Sequence, residues 1–154
     1  MDIKKKQGRY DRIYKQLKEL LPKTSDPYAR MSSIVAVLHN KMEYFFWTGF
    51  YFLKDGKLIV GQYQGPVACQ ELKKDTGVCW AGINQQNAII VPDVEKFPGH
   101  IACDSRSKSE IVIPLKNKEE NIIGILDVDS NEYNQFDEVD EKELTKILDL
   151  IYTI

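Results

Sequence analysis

The chain has 154 residues, 43% hydrophobic and 29% charged, with 21 Lys plus Arg against 23 Asp plus Glu for a net charge of −2. That length suits one globular domain spanning 1–154, on the usual range of roughly 100–200 residues, and the apolar content is too high for a disordered segment. No long block of one sign supplies the electrostatic footprint that phosphate backbones demand, so neither nucleic acid nor an anionic membrane is an expected partner.

Met1-Asp2-Ile3-Lys4-Lys5-Lys6 has a charged start with no apolar run behind it, so no signal peptide is read and a cytoplasmic protein is expected. Tyr10, Ile13, Tyr14, Leu17, Leu20 and Leu21 recur at helical spacing until Pro22 stops them, which predicts an amphipathic first helix. Met31, Ile34, Val35 and Leu38 predict a second, with Asp26 as N-cap and Pro27 at the first helical position. Composition then turns aromatic and β-branched. Tyr44 to Leu53 and Lys57 to Tyr63 read as two strands joined by a tight Asp55-Gly56 turn. The first of these is the longest apolar stretch, about half of the roughly 20 residues that a membrane helix needs.

Further strands are expected at Ala88–Val91, Glu110–Leu115 and Ile122–Val128, the last two joined by the polar loop Lys116 to Asn121. Leu144, Ile147, Leu148 and Ile151 predict a final helix, and Asp137, Glu138, Asp140 and Glu141 complement its N-terminal dipole. The order predicts an α+β fold with a central, mainly antiparallel sheet, two N-terminal helices and one C-terminal helix.

Two segments resist periodic reading, Gln64 to Asn87 and Pro92 to Ser109, and connections this long in a compact domain usually serve a function. They hold all three cysteines, Cys69, Cys79 and Cys103. Cys79 follows a turn that leads into a short helix, and both Cys79 and Cys103 are expected to be accessible. A cysteine is commonly a small buried hydrophobe, whereas a thiol in a loop near a helix N-terminus or an imidazole such as His100 favours the nucleophilic thiolate. A Cys3His metal set of Cys69, Cys79, His100 and Cys103 is disfavoured, because structural zinc sites use close cysteine pairs and no two cysteines here are nearer than ten positions.

Asp127 and Asp129 lie two apart on a predicted strand and so share a face, while Glu110 opens another strand. They are either a solvated strand end or a cluster in which one carboxyl pKa is raised, suited to proton donation or cation binding. Trp47 and Tyr51 are likewise either core aromatics or the wall of a ligand pocket.

Trp47-Thr48-Gly49-Phe50-Tyr51, Gln64 to Cys69, Gly77-Val78-Cys79, Asp93-Val94, the run Phe97-Pro98-Gly99-His100-Ile101-Ala102-Cys103-Asp104, Ser109-Glu110-Ile111-Val112 and Leu126 to Ser130 together resemble the free methionine-(R)-sulfoxide reductases, which are built on a GAF domain. The match covers nearly the whole chain. The resemblance implies a GAF-like fold with a small-molecule cavity under its loops. It implies Cys103 as the catalytic cysteine, Cys69 as the resolving cysteine that forms a disulfide with it, and Cys79 as an additional thiol able to join exchange. It also implies Trp47, Tyr51, Glu110, Asp127 and Asp129 as substrate-pocket positions. Trp80 departs from the pattern, since members commonly carry glycine after the Gly-Val-Cys run.

The implied chemistry fits these residue types. A sulfoxide sulfur is a poor electrophile until its oxygen is protonated, so a carboxyl group of raised pKa beside a thiolate is the needed combination. Attack by Cys103 releases methionine and leaves a sulfenic acid, which Cys69 converts to a disulfide before over-oxidation. By the same resemblance thioredoxin regenerates the thiols, the R epimer is the substrate, and a homodimer is an implied assembly. No metal or organic cofactor is required. The grouped carboxylates can also hold the ammonium group that a free amino acid carries, and the Trp47 indole can pack on the S-methyl end. Two other readings stand beside this one: a non-catalytic GAF module that senses a small ligand, against which a chain without an output domain weighs, and a protein that uses its disulfide as a redox switch.

Overall fold

Asp2 opens the first helix by accepting a 2.9 Å hydrogen bond from the Lys5 N–H, and α1 (Ile3–Leu20) runs until Pro22 tightens the chain into a 3-10 turn at Leu21–Lys23. The computed structural model describes residues 1–100 and 103–154; Ile101 and Ala102, part of the run Phe97 to Asp104, lie outside the described residues. In α2 (Pro27–Lys41) the Asp26 carboxylate accepts from the N–H groups of Tyr28 and Ala29, and Pro27 occupies the first turn, as the sequence predicts. No described helix is long and apolar enough to cross a membrane.

Strand β1 (Trp47–Lys54) turns at Asp55 and Gly56, both with positive φ (52° and 75°), into β2 (Lys57–Gln64). That pair of conformations suits a tight hairpin, whose right-handed twist it matches. The strand begins three residues later than its aromatic run predicts. Tyr44 and Phe45 are buried in a turn instead, where both pack on Phe136 with ring centroids 5.7 and 5.9 Å away.

The stretch without sequence periodicity contains a two-residue strand β3 (Glu71–Leu72) and α3 (Gly77–Gln85), the short helix expected at the turn around Cys79 and additional to the three periodic helices. After it come β4 (Ile89–Val91), a 3-10 turn at Val94–Lys96, β5 (Ser109–Lys116), β6 (Ile122–Ser130) and α4 (Glu138–Thr153). A reciprocal pair of hydrogen bonds between Asp137 and Asp140 caps α4.

The six strands form one sheet in the order β3-β2-β1-β6-β5-β4, with every pairing antiparallel. One face carries Phe50, Phe52, Ile111, Ile113, Leu126 and Val128 into a core shared with α1, α2 and α4. The other carries Trp47, Tyr51, Val112 and Ile125 against Val78, Cys79 and Trp80 of α3. Each fully buried side chain of this size contributes about 1.5–3 kcal/mol. The strands are therefore apolar on both sides, and the carboxylates of β5 and β6 interrupt that pattern only on the α3 side.

The helical side has its own buried charge. Lys6, 2% exposed, donates to Asp140 (2.7 Å) and Asp137 (3.1 Å), and the hydroxyls of Tyr10 and Tyr44 donate to the other oxygen of Asp140. Arg30 is also buried and donates to the carbonyls of Leu21, Thr24, Ile151 and Ile154, closing the C-terminal end of α4.

Candidate active site

Strand register assembles the site. Trp47 pairs with Asp129, Gly49 with Asp127, and Glu110 with Asp129, so one indole and three carboxyl groups stand on the α3 side of three adjacent strands. Gly49 is needed between them. A Cβ there would meet the Trp47 ring at 2.6 Å and the Tyr63 Cβ at 2.4 Å, so its absence lets the indole lie down along the sheet. The indole stacks on Tyr51 at 5.8 Å and on Tyr63 at 5.3 Å.

The polar ends of three aromatic side chains hold the loop above. Trp47 Nε1 donates to the Pro66 carbonyl (3.0 Å), the Tyr51 hydroxyl to the Cys69 carbonyl (2.9 Å), and Trp80 Nε1 to the Leu72 carbonyl (3.2 Å). Trp47 and Tyr51 thus do more than line a wall, because they tie the cysteine-bearing loop to the sheet. Trp80 is 4% exposed and secures the far end of the same loop.

Cys69 and Cys103 are joined in a disulfide, with Cα atoms 5.6 Å apart and a sequence separation of 34. Cys103 is exposed and Cys69 half-buried. Cys79 differs from expectation. It is a free thiol only 6% exposed, because α3 turns it toward the sheet, and burial followed by the facing Asp127 pushes its pKa up. Since the sulfurs of Cys69 and Cys103 are spent on each other, the Cys3His metal set is not assembled. Among the described residues, the donor group that does converge is Cys79 with Glu110 and Asp127.

Glu110 and Asp127 are 5% and 6% exposed, and Asp129 is half-buried. Burial raises the pKa of all three, most strongly for Glu110 and Asp129, whose second cause is the Asp127 charge. They therefore tend to hold protons where ordinary carboxyls have lost theirs. The Tyr51 hydroxyl is pushed up by burial and then by Asp127, so it remains a donor. His100 is held below the usual histidine range by burial, and its Nε2 is buried without a hydrogen-bond partner among the described residues. Its imidazole is neutral near pH 7.

All eight residues singled out in the sequence (Trp47, Tyr51, Cys69, Cys79, Cys103, Glu110, Asp127 and Asp129) line one cavity of about 220 Å³. Drug-sized ligands take roughly 300–1,000 Å³, so this space suits a molecule no larger than an amino acid. Sequence reasoning missed Glu71, Lys73, Thr76 and Ser107 of the same lining, for which no motif or periodicity gives a signal.

The GAF domain family matches residues 31–152 of the chain. GAF domain-containing protein A of Dictyostelium discoideum is 48% identical over 147 residues, covering 95% of this chain and 92% of that protein. A free methionine-R-sulfoxide reductase of Escherichia coli is 38% identical over 120 residues, covering 78% and 72% respectively. Among solved structures, the free methionine-R-sulfoxide reductase of Neisseria meningitidis in complex with its substrate superimposes with a TM-score of 0.87 at 34% identity, over 92% of this chain and 85% of that one.

Proposed function

The chain belongs to the GAF-domain family of free methionine-R-sulfoxide reductases, and from that premise we propose that it reduces free methionine-(R)-sulfoxide to methionine with Cys103 as nucleophile and Cys69 as resolving thiol. Support comes above all from one arrangement: a Cys69–Cys103 pair at the mouth of a cavity whose floor carries buried carboxyl groups of raised pKa.

A protonated carboxyl of Glu110 or Asp129 gives its proton to the sulfoxide oxygen, which makes the sulfur electrophilic. The Cys103 thiolate attacks, two electrons pass to the substrate sulfur, methionine leaves, and Cys103 is left as a sulfenic acid. The Cys69 thiol then displaces that oxygen as water and forms the disulfide. A thioredoxin dithiol reduces it by attack at a sulfur and is itself oxidised. The exposure of Cys103 gives such a protein access.

The raised pKa values make the cluster a better proton donor than an ammonium holder, since protonated acids carry no charge. Charges of both signs at the cavity, Glu71 and Asp104 beside Lys73, suit the zwitterionic end of a free amino acid. A methionine within a protein lacks those charges and is too bulky for the space.

The test is NADPH consumption with thioredoxin and thioredoxin reductase, using free R and S epimers and a peptide-bound sulfoxide as substrates. Consumption with the free R epimer alone is expected. None with it, while the recycling enzymes are active on a control disulfide, refutes the proposal.

A further inference from the structure

We propose that the floor of the cavity is also a binding site for a divalent cation of the zinc class, held by Cys79 Sγ and one carboxylate oxygen each of Glu110 and Asp127. The inhibition that follows from it rests on the reductase activity proposed above, whereas the binding does not.

The three donors come from α3, β5 and β6, lie within 4.8 Å of one another, and belong to buried residues. An ion centred among donors so spaced is at most about 2.8 Å from each, against roughly 2.3 Å for a zinc–sulfur bond and 2.0–2.2 Å for zinc–oxygen. Side-chain rotations of about half an ångström close that gap without moving the strands.

Asp127 supplies a second observation. The residue is 6% exposed, and its Oδ1 has no hydrogen-bond partner among the described residues. The groups that face it are Glu110, Asp129, the Cys79 thiol and the His100 imidazole, the last of which lowers its pKa only in its charged form. The two acids and the thiol can donate to that oxygen only while they keep a proton. Acceptors facing acceptors in a buried space require positive charge between them. Protons meet that need one pair at a time, and a single divalent ion meets it for all three donors at once.

The donor types select the ion. One thiolate with two carboxylates suits a borderline-soft cation that accepts three protein ligands and leaves a fourth position open, whereas calcium and magnesium prefer six or more oxygens. The fourth position would face the cavity. A cation there occupies the space in which the sulfoxide oxygen is protonated and displaces the protons that do it. It therefore excludes substrate without touching Cys69 or Cys103, and zinc should inhibit in competition with the sulfoxide.

The experiment uses the full chain in its oxidised form, in which Cys79 is the remaining thiol, with Co2+ as the optical probe. The expected result is a near-ultraviolet thiolate-to-cobalt charge-transfer band at one ion per chain, bleached by Zn2+ and weakened by free methionine sulfoxide. Cys79→Ser should lose the band, Asp127→Asn should weaken Co2+ binding at least ~10-fold, and Glu119→Gln on the exposed β5–β6 loop should leave it unchanged. Absence of the band in the oxidised wild-type protein, or its survival in Cys79→Ser, overturns the site. A cobalt band in a protein inactive toward the sulfoxide supports the site and refutes only the reductase assignment. Reductase activity without the band refutes only the site.

Discussion

Removing one oxygen atom, by Tyr51→Phe, separates the two jobs that the aromatic wall performs. The ring is 3% exposed and stacks on Trp47, and phenylalanine keeps both properties. What disappears is the 2.9 Å hydrogen bond to the carbonyl of Cys69. The bonds from Trp47 to Pro66 and from Trp80 to Leu72 still hold the loop, so the fold survives and only the cysteine between those anchors loosens. A neutral hydrogen bond is worth about 0.5–1.5 kcal/mol net, a factor of roughly 2–12 in how often Cys69 is poised for attack. In a single-turnover reaction followed by quenching and thiol mass labelling, methionine release should stay within about twofold of wild type. Disulfide formation should slow by roughly that 2–12-fold factor. If methionine release slows and disulfide formation does not, the hydroxyl acts on substrate and not on the loop.

Asp127→Asn tests the buried acids by linkage. Their raised pKa means that folded and unfolded chains are both protonated below the ordinary carboxyl range near pH 4, and that stability is lost as pH rises toward the folded value, because only the unfolded chain releases its proton easily. The variant should melt above wild type at pH 8 and close to it at pH 4; an equal difference at both contradicts the assignment. Lys6→Met leaves the Asp140 carboxylate buried without its cation and should cost about 3–5 kcal/mol in urea unfolding. Sulfoxide reduction per folded molecule should be unchanged, since that cluster lies on the opposite face of the sheet from the cavity. Trp80→Gly should lower stability by about 3–5 kcal/mol through lost packing, and limited proteolysis should then cut the 66–72 loop faster; an unchanged cleavage rate would remove Trp80 from the loop anchors.

The three long helices were legible because their apolar residues repeat with helical period, and the cap at Asp26 because a carboxylate before Pro27 has little else to do. Strand β3 carries no signal in two residues. In α3 the buried run Val78, Cys79 and Trp80 is continuous, so it shows no polar face. Tyr44 and Phe45 mislead because aromatic burial in a turn looks like a strand. In the site, the common face of Asp127 and Asp129 follows from the two-residue strand period, but only register adds Glu110 to them. Lysine at position 6 reads as solvated until its carboxylate partners, more than 130 positions away in the chain, fold onto it. The burial of Cys79 was hidden for a related reason, since a short helix can turn a residue either way and only packing against β5 and β6 decides.

Methionine released per protein molecule, with no recycling system present, bears most directly on Cys103 and Cys69. Reduced wild-type protein should release about one methionine and end with the two cysteines joined. Cys69→Ser should release about one and leave an oxidised, unpaired Cys103, and Cys103→Ser should release none. Methionine released by Cys103→Ser at the wild-type rate would contradict the account.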